Sequence, residues 1–261
     1  MNSIGIIIRT YNEEKYLGKL LSSIKNQNYP QKLIKIFVVD SGSDDSTLSI
    51  AKKYKTIIIP IKKENFTFGR SLNYGCRASN TDILVFISGH CIPTSNNWLF
   101  NLTSQLKKDI KYVYGRQIGG RNSFFSERQI FNKYFQKKSV SPQKSNYCNN
   151  ANSAILKSTW KKFKFDENLT GLEDMFLAKK IQESNGKIAY TADACVYHLH
   201  SESWRQVTKR FEREAYALRK IYPELKINVK DFLSMTITSI IFDFLSAYNK
   251  KILLSNFKEI I

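Results

Sequence analysis

The sequence predicts an α/β protein built on a mostly parallel central sheet flanked by helices. Three observations carry that expectation. Apolar runs stand at residues 4–8 and 83–87, and 34–39 is a second strand-like stretch with one lysine, Lys35; each breaks off at polar or small residues. An unbroken apolar run without alternation is the pattern of a strand covered on both faces. Between the stretches 4–8 and 34–39, Leu17, Leu20, Leu21 and Ile24 recur at helical spacing. Strand, helix, strand, helix is the order of right-handed crossovers in a parallel sheet.

Taken in order, the first strand ends at Arg9-Thr10-Tyr11-Asn12-Glu13-Glu14. Asn12 is placed there to cap a helix whose first turn carries two glutamates that suit the helix dipole. The second strand ends at Asp40, followed by the polar turn Ser41 to Thr47, a helix over 48–54 and a third strand over 56–61. Asp44 and Asp45 read as turn chemistry. Asp40, the last residue of a buried strand, reads as functional: it would hydrogen-bond a ribose or base, or ligate a metal, since phosphates would be repelled. Residues 66–76 lead into another helix, where Arg70 could grip a diphosphate with its bidentate fork.

The strand over 83–87 stops at Ser88-Gly89-His90, and Pro93 prevents it from resuming. Ligands of open α/β sheets sit just outside the carboxyl ends of the strands. His90, following a glycine that permits close approach to the backbone, is therefore a candidate site residue. Residues 98–106 read as an amphipathic helix and 112–115 as a strand. The stretch 119–147 is rich in Arg, Lys, Asn, Ser and aromatics without clean periodicity, and reads as a mobile binding loop or lid. A polar turn and a strand follow over 149–156. Glu173 and Asp174 then open a helix with the apolar face Phe176, Leu177 and Ile181, and Thr170-Gly171 brings both acids in from a loop. His198 and His200, at i and i+2, share one side of an extended segment and could flank one transition-metal ion. Residues 203–222 form a basic helix. The apolar stretch 232–245, interrupted by Asp243, is too short and polar to span a bilayer and reads as a docking or interfacial helix.

The bulk numbers fit one large domain with an extension. The chain has 261 residues, 42% hydrophobic and 24% charged, which excludes wholesale disorder. Its net charge of +19 admits nucleic acid, an anionic membrane face or acidic small molecules as partners. The lysines are scattered, and no zinc-finger, helix-turn-helix or RNA-binding aromatic signature accompanies them, which argues against a specific nucleic acid. Cys76, Cys91, Cys148 and Cys195 are widely spaced with no Cys-x-x-Cys pair, and the first strand follows Met1 almost at once. Reduced, structural thiols and a cytoplasmic location are the expectation.

Several segments together resemble a known family. Ile6-Ile7-Ile8-Arg9-Thr10-Tyr11-Asn12-Glu13-Glu14, Val38-Val39-Asp40-Ser41-Gly42-Ser43-Asp44-Asp45-Ser46-Thr47, Gly171-Leu172-Glu173-Asp174 and His198-x-His200 look like family 2 glycosyltransferases of the GT-A fold. Asn149 to Ala154 and Phe165-Asp166-Glu167 resemble its rhamnosyltransferase-like branch. The resemblance implies a GT-A (nucleotide-diphospho-sugar transferase) fold over 1–215 and a C-terminal helical extension, 216–261. It implies a nucleotide-diphospho-sugar donor at Arg9, Thr10, Tyr11, Glu13, Asp40, Arg70, Ser88 and Gly89. Asp174 matches the general base, and Glu173 would hold the neighbouring geometry. The reaction would be one in-line displacement with inversion, the leaving diphosphate being stabilised by a divalent cation, Mn²⁺ or Mg²⁺.

One departure from the family's pattern concerns that cation. The usual Asp-x-Asp reads Ser88-Gly89-His90. Either His90 ligates a metal together with His198 or His200, or protonated His90 and nearby basic residues neutralise the leaving group. The metal is preferred, because one imidazolium replaces a dication weakly. The processive synthases' Gln-x-x-Arg-Trp motif is absent, so transfer of one sugar is expected. The acceptor would be a glycan or lipid-linked, in bacterial surface polysaccharide or lipopolysaccharide assembly, with peripheral contact to an anionic membrane through the basic helix. The competing readings are a basic nucleic-acid-binding protein and a sugar-nucleotide nucleotidyltransferase. The latter needs a Gly-rich loop after the first strand, which Arg9 to Glu14 is not.

Overall fold

The computed structural model describes residues 1–107, 109–120, 123–199 and 202–260. The strands are β1 (Ile4–Thr10), β2 (Ile34–Asp40), β3 (Ile57–Pro60), β4 (Ile83–Ser88), β5 (Cys91–Pro93), β6 (Ile110–Gly119), β7 (Val140–Gln143), β8 (Asn152–Leu156) and β9 (Lys187–His198). The helices are α1 (Glu14–Lys25), α2 (Thr47–Lys53), α3 (Phe68–Ala78), α4 (Trp98–Thr103), α5 (Phe125–Tyr134), α6 (Lys157–Phe163), α7 (Glu173–Glu183), α8 (Trp204–Ile221), α9 (Val229–Asn249) and α10 (Leu253–Ile260).

One sheet runs β3-β2-β1-β4-β8-β6-β9-β5, with β7 also paired to β9. Its first four strands are parallel, as the apolar runs imply. The register pairs Thr10 with Asp40 and Arg9 with Ser88, so three strand ends finish level. Past β4 the sheet is mixed: β8 is antiparallel to β4 and β6, and β9 is parallel to β6. β5 then returns antiparallel along β9 and sets Cys91 opposite His198. This is what carries the residue after Gly89 to the end of β9, more than a hundred residues away.

Each central strand feeds two cores. Ile4, Ile6, Ile8, Val38 and Val85 pack on one face with Leu17, Leu20 and Leu21 of α1. Ile7, Phe37, Val39, Leu84 and Phe86 pack on the other with Leu72 of α3 and Leu177 and Ile181 of α7. A Cβ on Gly75 would come within 2.5 Å of Ile7 Cγ2, so this glycine lets α3 lie close on the sheet. Burial pushes the thiols of Cys76, Cys91 and Cys148 well up, in keeping with a packing role.

Two local expectations need correction. Asn12 does not cap α1: it sits at φ 54°, Glu13 holds the cap position, and the Asn12 side chain accepts from the Asp44 N–H instead. The described part of the stretch 119–147 is more than a loop, for it holds α5 and β7. Its aromatics are what order it, as Phe131 and Phe135 pack with Tyr114 and Tyr190 of the sheet. Such packing has no sequence period. Residues 187–198 form one long strand, with an irregularity where Gly115 gives way to Gln117 on β6. Near the C-terminus, α8 passes through residue 215 without a break, and no helix among the described residues is long and apolar enough to cross a membrane.

Candidate active site

A cleft of about 670 Å³ opens at the level strand ends of β1 and β4 and is closed on the far side by α7 and α8. The turn after β1 supplies Tyr11 and Glu13, β4 supplies Ser88, and His90 follows it. Gly89 has a steric reason: a Cβ there would lie 2.8 Å from Glu13 Cγ. Its absence lets the Glu13 carboxylate reach His90 Nδ1 at 2.6 Å.

His90 and His198 face each other, Nε2 to Nε2, at 3.1 Å. Their partners fix the tautomers. Asn149 Oδ1 accepts from the Ala151 N–H and from Gln117 Nε2, so Gln117 Oε1 is the acceptor for His198 Nδ1–H at 2.7 Å. Glu13 accepts from His90 Nδ1–H in the same way. Both Nε2 atoms therefore turn lone pairs toward one point, an arrangement that needs a proton or a cation between them. Two imidazoles on one first-row ion with bonds of about 2.0–2.1 Å stand about 3.3 Å apart at a tetrahedral angle, so the donor set fits a divalent metal. Among the described residues no cluster of three or more His, Cys, Asp or Glu could hold a metal ion. The protein would thus supply two imidazoles, and the remaining positions would fall to ligand or water. His200 lies outside the described residues.

On the opposite wall, α7 is preceded by Leu172 at φ 56°, a left-handed conformation that a bulky L-residue adopts only at a cost. That reversal turns Glu173 and Asp174 inward, 3% and 7% exposed. Glu173 Oε1 meets Arg9 Nη1 at 3.3 Å. Asp174 accepts from the N–H groups of Asn150 and Met175, each at 2.8 Å. Two donors do not offset burial beside a second carboxylate, and the Asp174 carboxyl is pushed up to about 7, first by desolvation and then by Glu173. The turn at Asn149 and Asn150 thus joins both walls: Asn149 holds Gln117 under His198, and Asn150 holds Asp174.

Phe68 meets two cations, with the Arg9 guanidinium 4.8 Å and that of Arg213 4.4 Å from its centroid. Arg213 Nε is buried with no hydrogen-bond partner, and burial pulls the guanidinium down from its ordinary value. Arg210, also lining the cleft, is tied to Glu202 and Glu127.

The Glycosyl transferase family 2 profile matches residues 5–162, more than half of the chain. This chain belongs to that family. It is 29% identical over 222 residues to the O-antigen chain rhamnosyltransferase RfbN of Salmonella typhimurium, covering 80% of this chain and 70% of the relative. The match to the O-antigen chain rhamnosyltransferase WbaN of Salmonella anatum is also 29%, over 81% of this chain and 70% of the relative. In fold, the chain superposes on the mannosyltransferase PcManGT of Pyrobaculum calidifontis, solved with GDP-Man and Mn²⁺, at a TM-score of 0.67. That match has 15% identity and covers 95% of this chain and 75% of the other. Staphylococcus aureus TarS 1–349 with UDP-GlcNAc matches at a TM-score of 0.62, with 17% identity over 98% and 72%. The chain is a glycosyltransferase of the GT-A fold.

Within this glycosyltransferase the expected site residues are distributed unevenly. Arg9, Tyr11, Glu13, Ser88, His90, Glu173, Asp174 and His198 line the cleft together. Thr10 is buried behind it, donating to Asp40 Oδ2, and Gly89 acts through Glu13. Asp40 sits behind the wall as well: Thr10, Gly42 and Ser43 supply four donors to its two oxygens. Arg70 is turned away, bonded to Glu167 at 2.9 Å and to the Asn65 carbonyl. Gln117, Phe68, Arg210 and Arg213 were not anticipated. Gln117 gave no signal, since it follows Arg116 beyond the strand read at 112–115. The arginines had none, because a basic helix does not announce which of its cations face inward.

Proposed function

We propose that this glycosyltransferase moves one sugar, with inversion, from a nucleotide-diphospho-sugar to an acceptor hydroxyl, with Asp174 as the base. The observation that carries the reading is the Asp174 carboxyl held near 7 on the wall of the same cleft that presents paired imidazoles. A base is most useful when its proton affinity matches the working pH. Tyr11, exposed and flanked by Lys63 at 3.1 Å from its hydroxyl, offers a ring for the nucleobase beside a cation for the phosphates. The unpartnered Arg213 Nε and the Arg9 guanidinium supply positive charge at the Phe68 wall. Asp40 is a positioning residue on this account: it holds the turn that presents Ser41 to the cleft.

The acceptor oxygen gives its proton to Asp174 as it bonds to the anomeric carbon. The bond from that carbon to the diphosphate breaks, and its electron pair leaves with the nucleoside diphosphate. Glu173, paired with Arg9, keeps a second negative charge beside Asp174 and so keeps its proton affinity high. His90 and His198 would hold a divalent cation, which when bound supplies charge to the leaving group. Similarity to the O-antigen enzymes favours a deoxyhexose donor and an acceptor that is a glycan or lipid-linked, in surface polysaccharide assembly at the cytoplasmic face of a membrane.

A thermal-shift panel of UDP, GDP, CMP and dTDP, each with and without Mn²⁺, tests this. One nucleotide should raise the melting temperature by mass action, more with Mn²⁺ than with chelator. His90→Ala should remove the Mn²⁺-dependent part alone. Silence toward every nucleotide would sink the transferase reading. A response indifferent to chelator and unchanged in His90→Ala would remove the metal role from His90, whereas one indifferent to chelator but weakened in His90→Ala would assign protonated His90 as the neutralising group.

A further inference from the structure

The glycosyltransferase carries an apolar helix that its own fold does not cover. Of the 26 large apolar side chains exposed among the described residues, fifteen lie between 225 and 257. Most belong to α9, where Val229 is 74% and Phe242 57% exposed. Every residue from 229 to 242 is exposed, so the helix projects freely over that length. Its C-terminal third is the anchored part: Ala247 is buried against Phe125 of α5 and Ile260 of α10, and Lys250 bonds Gln129. A helix apolar on all sides is stable only inside an apolar surrounding.

We infer that α9 inserts into the surface of an anionic lipid bilayer and that the basic residues beside it read the headgroups. Two observations select this occupant. The first is length. The uncharged run 232–242 spans about 16 Å at 1.5 Å per residue, half of a hydrocarbon core of about 30 Å, so the helix enters one leaflet and does not cross. The second is charge. Residues 204–251 hold ten Lys and Arg against five Asp and Glu, with Lys226 and Lys230 before the run and Lys250 and Lys251 after it. Arg205, Lys209, Arg219 and Lys220 are exposed on α8. Such flanks attract anionic headgroups and oppose the pairing of two copies that each carry +19.

The anchor of α9 also sets an orientation. α5, on which it rests, is tied to the start of α8 by the Phe124–Trp204 stack at 4.4 Å and by Arg210 to Glu127. The start of α8 lines the cleft through Gln206, Arg210 and Arg213. Docking therefore brings the α8 wall of the cleft to the membrane, where a lipid-linked acceptor would be presented. This orientation rests on the transferase reading, and bilayer binding does not.

Co-sedimentation of the full chain with phosphatidylcholine vesicles, with and without phosphatidylglycerol, tests the inference. The chain should pellet with the anionic vesicles and be released by salt. Ile237→Glu combined with Ile241→Glu, and separately Lys226→Glu with Lys230→Glu, should each weaken binding about tenfold or more. All of these side chains are solvent-exposed, so melting temperature and the nucleotide response should be unchanged. No pelleting, or equal pelleting with neutral vesicles, would overturn the inference. So would a dimer by light scattering that the isoleucine pair converts to monomer, since the occupant would then be a second copy. Nucleotide silence combined with anionic-vesicle binding would reject the transferase reading alone.

Discussion

Asp40 and Asp174 are both buried carboxylates near the ends of the sheet, 3% and 7% exposed, and they are solvated by the protein in opposite ways. Asp40 receives two backbone N–H groups and two hydroxyls. Asp174 receives two backbone N–H groups and has Glu173 as its neighbour. The first arrangement satisfies an anion and fixes a turn. The second leaves the anion under-solvated, so the proton stays on until near neutrality. A buried acid becomes chemically useful when the protein withholds donors from it.

Exchanging the two roles by mutation should separate them. The largest effect belongs to Asp174→Asn, which keeps shape and loses the base: turnover should drop by about 10²–10⁴-fold, with nucleotide binding retained. Comparable turnover in this variant would show that another group takes the proton. Asp40→Ala should act first on stability, costing about 2–4 kcal/mol in denaturant titration because charge-assisted bonds from Thr10 and Ser43 and two turn N–H groups lose their acceptor.

The pH dependence carries opposite signs for turnover and stability. Turnover should rise with pH through about 7, as Asp174 loses its proton. Stability should fall over the same range. An unfolded aspartate ionises near 4, so between about pH 4 and 7 the folded chain holds a proton that the unfolded chain has lost. The gap between those two midpoints caps the loss at about 4 kcal/mol by pH 8. Asp174→Asn lacks this slope, so its melting temperature should gain on the wild type by several degrees, about 5 °C or more, between pH 5 and 8. The smallest effect is expected from Gly89→Ala. The new methyl would displace Glu13 and loosen His90, weakening the Mn²⁺-dependent nucleotide response by about tenfold with little change in stability.

The parallel half of the fold was legible because its strands are apolar on both faces, and a five-residue run such as Ile83 to Ile87, bounded by turn residues, suits a doubly covered strand and little else. The acids were legible too, since Glu173 and Asp174 stand at a helix start after a glycine turn. The pairing of His90 with His198 was legible only as a possibility. It depends on β5 running antiparallel to β9, a long-range register that no local pattern encodes. Asp40 is visible in sequence as a carboxylate at a strand end, but its four donors come together only in the folded turn. Arg213 was hidden because α8 carries several cations, and only packing against Phe68 tells its inward cation from its outward ones.

The central claim is that the fold holds the proton on Asp174, and it can be measured without donor or acceptor. The ¹³C chemical shift of the Asp174 carboxyl, assigned by its loss in Asp174→Asn, should titrate with a midpoint near 7. A midpoint near 4, that of an ordinary exposed aspartate, would contradict the account.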